Sequence, residues 1–364
     1  MARLWRVLVL GVACLAASCG PARGPANAPG TSQAPGAPQA AAEAAPAAGR
    51  SRTIGYAAPE LSGGQGRIMN AFIAKAGAMG WRVLTANASS QPKIQESQID
   101  YFLSRGVDAI VAIPVDSTAI CSAISRARAR GVPFYTIDRA PIGCAVDMVV
   151  MSDNRMGGVQ SGEALVAILT RTHGAPRGTV LELQGDLAQN VGQLRGQGFH
   201  DVVDRYPGIH VISRETRWES ERFASETEEV ATSTSIDAIY LHSDAIGVPA
   251  VLPVLDRIGK KIPRGTPGHI AIVGIDGSPD ALQAMRDGFV DQASSQPILD
   301  FPIIADWIER DFAHLPRNAG MVVREGALWS PATVKMEEVG PVLFLSTTSV
   351  TTANVDDPRL WGNQ

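Results

Sequence analysis

No excess of basic residues marks this chain. Its 32 Lys and Arg stand against 36 Asp and Glu, a net charge of −4 with no block of like charge, so nothing in the charge balance points to nucleic acid. No G-x-x-x-x-G-K-[ST] loop is present, since Gly259-Lys260 is followed by Lys261, and this excludes a P-loop phosphate cradle. The nearest approach to G-x-S-x-G is Gly158-Val159-Gln160-Ser161-Gly162, where the spacing is wrong. The six histidines are scattered, without H-E-x-x-H or a cluster at metal-ligand spacing, so no metal is expected. Only His242, beside Asp244 at a strand end, is placed to approach a cleft. No catalytic residue and no cofactor are assigned, and the chain reads as a non-enzyme.

Cysteine is also scarce, with four in all. Two of them, Cys14 and Cys19, fall in an amino-terminal segment where Arg3 and Arg6 precede the apolar run Val7 to Ala17. That run is shorter than the about 20 residues a bilayer span needs, so residues 1–19 read as an export signal. Leu15-Ala16-Ala17-Ser18-Cys19 is similar to a bacterial lipoprotein processing site, with Cys19 as the lipid-bearing residue, although the large apolar residue lies four positions before the cysteine. Residues 20–52, rich in Ala, Pro and Gly, bury too little to offset their ordering entropy and read as a disordered tether reaching about 30 Å. The remaining pair is Cys121, one turn into a helix capped by Asp116, and Cys144, in the loop after the strand ending at Ile137. In an oxidising compartment they can pair, closing a loop of about 24 residues and stabilising by roughly 3 kcal/mol; the alternative is two free thiols.

What is present is a repeated layout. Phe134 to Ile137, bounded by Pro133 and the polar pair Asp138-Arg139, reads as a short strand buried on both faces. Charged residues at the carboxyl end of such a strand are candidate ligand contacts in an open parallel sheet, the alternative being an ion pair at a loop start. Ile270 to Ile275, ending in Asp276, echoes it. Upstream partners are Asp108 and Asp237, and further back the strand starts at Thr53 and Thr179, with separations of 55 then 30 residues in the first half and 58 then 39 in the second.

The first copy alternates strands at Thr53–Ala58, Trp81–Ala86, Ala109–Val115, Phe134–Ile137 and Val146–Met151 with helices near Ile68–Ala78, Lys93–Arg105 and Ser117–Arg130. The second has strands at Thr179–Leu183, His210–Ser213, Ala238–Leu241, Ile270–Ile275 and Val290–Ser294. This predicts an α/β protein with two doubly wound parallel-sheet lobes and an aspartate at each lobe's strand ends. Crossings between lobes are expected after Ser152, at Gln296-Pro297 and at Val342–Leu345. The lobes are then 53–152 plus 297–341 and 153–296 plus 342–364.

Leu61-Ser62-Gly63-Gly64-Gln65 spells the signature of ABC-transporter ATPases, a chance match without a Walker A loop. Between a strand and a helix, its amide groups can face a ligand's oxygens.

From Thr53 onward the chain resembles the type I periplasmic solute-binding proteins, of the ribose-binding-protein-like, sugar-binding kind. The resemblance is carried by Asp138-Arg139, Ser152-Asp153-Asn154 with Gly157-Gly158, Glu182-Leu183-Gln184-Gly185, Arg195-Gly196-Gln197-Gly198-Phe199, and Gly274-Ile275-Asp276-Gly277-Ser278-Pro279-Asp280. The ending Asn354-Val355-Asp356-Asp357-Pro358 with Leu360-Trp361-Gly362 is common in sugar-binding members. The resemblance implies ligand contacts from Asp138, Arg139, Arg195, Asp276 and Gln296, with Trp218 covering a sugar ring and Ser243 where the ribose binder has asparagine. After strand one, where the pentose binder has an asparagine and two phenylalanines, stand Gly63, Gln65 and Gly66; Gln65 joins the expected contacts, and one aromatic wall is missing.

The function so implied is capture of a monosaccharide or similar polyhydroxylated molecule by hinge closure, for an ABC permease in the periplasm or cell envelope. The partners implied are a membrane reached through the lipid anchor and no nucleic acid, with the protein itself a monomer. An alternative is a periplasmic sensor feeding a chemoreceptor or histidine kinase. A lac-type repressor core shares the fold but needs a helix-turn-helix where this chain has the signal and tether.

Overall fold

A computed structural model describes residues 51–316 and 320–364. The expected export signal, Cys19 and the tether up to residue 50 lie outside the described residues.

In the first half the chain forms β1 (Thr53–Ala58), α1 (Gly63–Ala78), β2 (Arg82–Asn87), α2 (Pro92–Ser104), β3 (Ala109–Ala112), α3 (Ile120–Ala129), β4 (Phe134–Ile137) and β5 (Met148–Ser152). The second half repeats the alternation with α4 (Asn154–His173), β6 (Gly178–Gln184), α5 (Asn190–Val203), β7 (Ile209–Glu215), α6 (Ser220–Ser233), β8 (Ala238–Leu241), α7 (Asp244–Arg257), β9 (Ala271–Asp276), α8 (Pro279–Arg286) and β10 (Gln292–Ser295). Then follow α9 (Ile304–Phe312), β11 (Met321–Val322), β12 (Ala332–Glu337), β13 (Gly340–Leu345) and β14 (Thr348–Val350).

Two sheets result, ordered β2-β1-β3-β4-β5-β13-β12-β11 and β7-β6-β8-β9-β10-β14. The first five strands of each run in the same order, and all pair in parallel. The inner strands read as unbroken apolar runs because helices cover both faces. In the first lobe Ile54, Tyr56, Val111 and Tyr135 belong to one core and Ala57, Ile110 and Phe134 to the other.

The spaced aspartates do the same work in both halves. Asp108 accepts the amide of Thr53 and Asp237 that of Thr179, each at 2.7 Å. Likewise Asp147 accepts the amide of Phe134 at 2.8 Å and Asp291 that of Ile272 at 2.9 Å. Each carboxylate fastens the loop before one strand to the start of its neighbour, which sets the register.

Three segments join the sheets: β5 into α4 at Asp153, β10 into the turn at Gln296-Pro297, and β13 into β14. The third differs from expectation. Val342–Leu345 does not cross; it pairs with β5 inside the first sheet, Val342 packing into one core and Leu343 and Leu345 into the other. Ser346 and Thr347 make the passage, where Gln160 on α4 holds both the hydroxyl and the carbonyl of Thr347 at 2.9 and 3.1 Å. The β11–β12 hairpin, which extends this sheet, was also not anticipated.

Helices α4 and α5 meet along a glycine seam. A Cβ on Gly158 would run into the carbonyl of Arg195, and one on Gly198 into that of Arg155, so the backbones touch directly. Gly198→Ala is expected to destabilise the protein by about 1–3 kcal/mol, because neither backbone can withdraw without opening the core. An unchanged urea midpoint would contradict this account of the seam.

Candidate functional site

The carboxyl ends of both sheets face one cavity of about 490 Å³. Gln65, Asp138, Arg139, Arg195, Trp218, Ser243, Asp276 and Gln296 all line it. So do residues that the sequence reading did not assign, among them Glu60, Asp186, Gln189, Arg217, Ile298 and Trp361. Gly66 does not belong to the wall: it is buried, and a Cβ there would lie 2.6 Å from the carbonyl of Leu61. Ser62, Gly63 and Gly64 at the start of α1 face the cavity instead.

The second lobe supplies a hydrogen-bonded floor. The Arg195 Nε donates to Asn154 Oδ1 at 2.8 Å, its Nη1 donates to the His242 carbonyl, and the same nitrogen lies 3.3 Å from Asp276 Oδ1. Asp276 in turn accepts from the Ser243 hydroxyl at 2.5 Å and from the Gln296 amide. Its backbone sits at φ 123°, a region costly for a residue with a side chain. His242 itself is fully buried beneath the cavity, so it reaches the cleft only through this carbonyl.

Trp218 lies across Gly185, whose lack of a side chain makes the room. Its indole N–H donates to Gln189 Oε1 at 2.6 Å, and the Arg195 guanidinium stands 5.5 Å from the ring centroid.

The first lobe is less satisfied. Asp138, at φ 65° directly after β4, has Arg139 Nε at 3.8 Å, beyond hydrogen-bond distance. Burial pushes the Asp138 carboxyl up, Arg139 and Arg195 pull it down, and Asp276 raises it again. Arg139 donates from Nη1 to the Pro114 carbonyl at 3.0 Å, while its Nε and the Oε1 of Gln296 have no hydrogen-bond partner among the described residues.

Below the floor Glu182 is completely buried. It accepts from Ser213 at 2.6 Å and meets His242 Nε2 at 2.9 Å and His200 Nε2 at 3.2 Å. Burial opposes ionisation, but these hydrogen bonds outweigh it and hold the carboxyl well below the usual range. Burial pushes His242 down.

At the mouth the lobes touch. Gln189 donates to the Val115 carbonyl at 2.9 Å, the Asn190 amide donates to Ser117 Oγ at 3.1 Å, and Asn190 Oδ1 accepts the Ala140 amide at 3.1 Å. The disulfide Cys121–Cys144 ties α3 to the loop that carries Ala140.

Two lobes that share the order of their first five strands, joined by three segments around a cavity lined by charged and polar side chains, are the architecture of a type I periplasmic binding protein. The chain belongs to that family: residues 54–300 match the model described as periplasmic binding protein domain. This membership marks a binding protein of the periplasm or cell envelope. Over 210 residues it is 30% identical to the ribose import binding protein RbsB of Bacillus subtilis, covering 57% of this chain and 64% of that one. Over 205 residues it is 28% identical to a xylitol-binding protein of Mycolicibacterium smegmatis, covering 56% and 55%. The matched segments thus span less than two thirds of either relative. Among solved structures, a solute-binding protein from Bacillus halodurans with bound myo-inositol aligns at TM-score 0.69 and 20% identity, over 85% of this chain and 97% of that one. A Mycobacterium smegmatis structure in complex with β-D-fucofuranose aligns at 0.71 and 20%, over 85% and 94%. These likenesses define the fold.

The buried cluster gives a pH dependence. His200 is pushed up to about 9 by its hydrogen bond to Glu182, against burial and with help from Asp204. Its folded value lies above the ordinary 6.5, so the stability it adds is present below about pH 6.5 and is lost as pH rises through about 9. Urea midpoints of the wild type are expected to fall across that window, and those of His200→Gln to fall less. Parallel profiles for the two proteins would rule out His200 as the titrating group.

Proposed function

We propose that this chain is the substrate-binding subunit of an ABC-type importer, capturing a monosaccharide or similar polyhydroxylated small molecule between its lobes. Asp138, Arg139, Arg195, Ser243, Asp276, Gln296 and Gln65 are its polar contacts, and Trp218 covers the apolar C–H face of the ring. The observation that carries this reading is the Asp138 carboxyl on the cavity wall, whose ion pair with Arg139 is too long, at 3.8 Å, for a hydrogen bond, and which faces a floor where Asp276 already meets Ser243, Gln296 and Arg195. A carboxyl largely withdrawn from water gains from each hydrogen-bond donor it is brought. A pair of vicinal hydroxyls supplies two donors at once, each charge-assisted bond contributing about 1.5–3 kcal/mol.

The names of the relatives support the same chemistry, since ribose, xylitol, myo-inositol and fucofuranose all present adjacent hydroxyls on a compact apolar frame. The closed form would be recognised by a permease, with the chain a monomer held to the membrane through lipid on Cys19. Ligand entry and lobe closure form one event, because the polar groups the first lobe leaves open are satisfied only when a guest held on the floor of the second lobe reaches them.

Asp138→Ala is expected to weaken binding of the preferred sugar or polyol by at least about 2 kcal/mol in isothermal titration. Equal affinity for the two proteins would remove Asp138 from the site. Screening pentoses, hexoses and polyols by intrinsic tryptophan emission is expected to give saturable changes for at least one compound, and silence across the set would overturn the carbohydrate reading.

A further inference from the structure

The carboxyl-terminal tail belongs to both lobes. Val355 and Leu360 pack in the core of the second lobe, where Arg286 of α8 holds Asp356 Oδ1 at 2.8 Å, the Val355 carbonyl at 3.1 Å and Asn363 Oδ1 at 2.8 Å. Trp361, between these anchors, packs instead in the core of the first lobe with Ile68 and Ile298. From that lobe Arg67 of α1 donates to the carbonyls of Trp361 and Gln364 at 3.5 and 2.9 Å, its guanidinium 5.7 Å from the indole centroid. The tail is therefore a strap fastened on both sides of the cleft.

Trp361 is also part of the cavity wall. Its N–H donates to the carbonyl of Asp276 at 2.6 Å, and the next residue, Gly362, lies so close to the Gly277 carbonyl that a side chain would collide. Asp276 stands in a costly backbone region, and the indole N–H holds its peptide plane there. Gly63 and Gly64 leave the start of α1 without an aromatic side chain, and the one indole on that side comes from the strap.

Resting on the reading of the cavity as a polyol site, we propose that Trp361 is a specificity-determining residue: it forms the ligand's second aromatic face and positions the Asp276 carboxylate. Delivered by a strap that bridges the lobes, it replaces a wall that the first lobe does not build itself.

The titrant is whichever pentose, hexose or polyol binds the wild type most tightly. Trp361→Leu, which keeps apolar volume but loses the ring, is expected to bind about tenfold more weakly. Trp361→Phe keeps a ring and is expected to lose less. The ligand-induced change in tryptophan emission, carried by Trp218 and Trp361 together, is expected to shrink in Trp361→Phe while binding persists; a residue with only a structural role would leave that change intact. Wild-type affinity in Trp361→Leu, or an undiminished emission change in Trp361→Phe, overturns the proposal. If Trp361→Leu fails to fold, the emission change of Trp361→Phe decides. A wild type that binds no compound of the set overturns the polyol reading itself and this proposal with it, an outcome distinct from a wild type that binds alongside indifferent variants.

Discussion

A guanidinium and a carboxylate, Arg195 and Asp276, stand 3.3 Å apart and largely shielded from solvent, and the cleft is built around that pair. Dehydrating two charges costs several kcal/mol each unless the remaining donors and acceptors find partners. Here partners come from separate elements: Asn154 at the start of α4, the carbonyl after β8, Ser243 just before α7, and Gln296 at the second crossing. The pair therefore registers the helix seam, two strand ends and the connection between lobes against one another. The matching place in the first lobe is left open, with Asp138 and Arg139 too far apart for a hydrogen bond. One lobe brings a finished surface and the other an incomplete one, and a guest completes the second without disturbing the first.

Much of this was readable from residues alone, for physical reasons. Strands covered on both faces are continuous apolar runs, so Phe134–Ile137 and Ala238–Leu241 stand out with their observed ends. The spacing of Asp108 and Asp237 exposed the duplication, although their task of holding the amides of Thr53 and Thr179 did not show. An apolar run reports burial but not which sheet buries it, and so Val342–Leu345 reads from the sequence as a crossing. The β11–β12 hairpin is harder to read: β11 is only Met321–Val322, and although Ala332–Glu337 alternates apolar and polar residues, Met321 and Met336 lie in solvent. Trp361 sits alone in a polar tail, where no periodicity distinguishes a wall residue from a tail residue. The expected contacts do gather around one cavity, because they sit at strand ends that the parallel topology brings to one side.

The mouth of the cleft is set by short loops. The segment between β6 and α5 touches the loops after β3 and β4 through main-chain groups as well as side chains. The Cys121–Cys144 bond lies behind one of these loops and limits how far it can spread when the mouth parts.

The threading of the chain through both lobes bears on how the protein is made. The second sheet, apart from its short edge strand β14, is complete once Ser295 has been synthesised. The first cannot close its order until Gly340–Leu345 slots between β5 and β12. As the chain is synthesised in order, the later half of the molecule can consolidate before the earlier one. The first lobe waits, with the flank of β5 unpaired, for Gly340–Leu345 to follow.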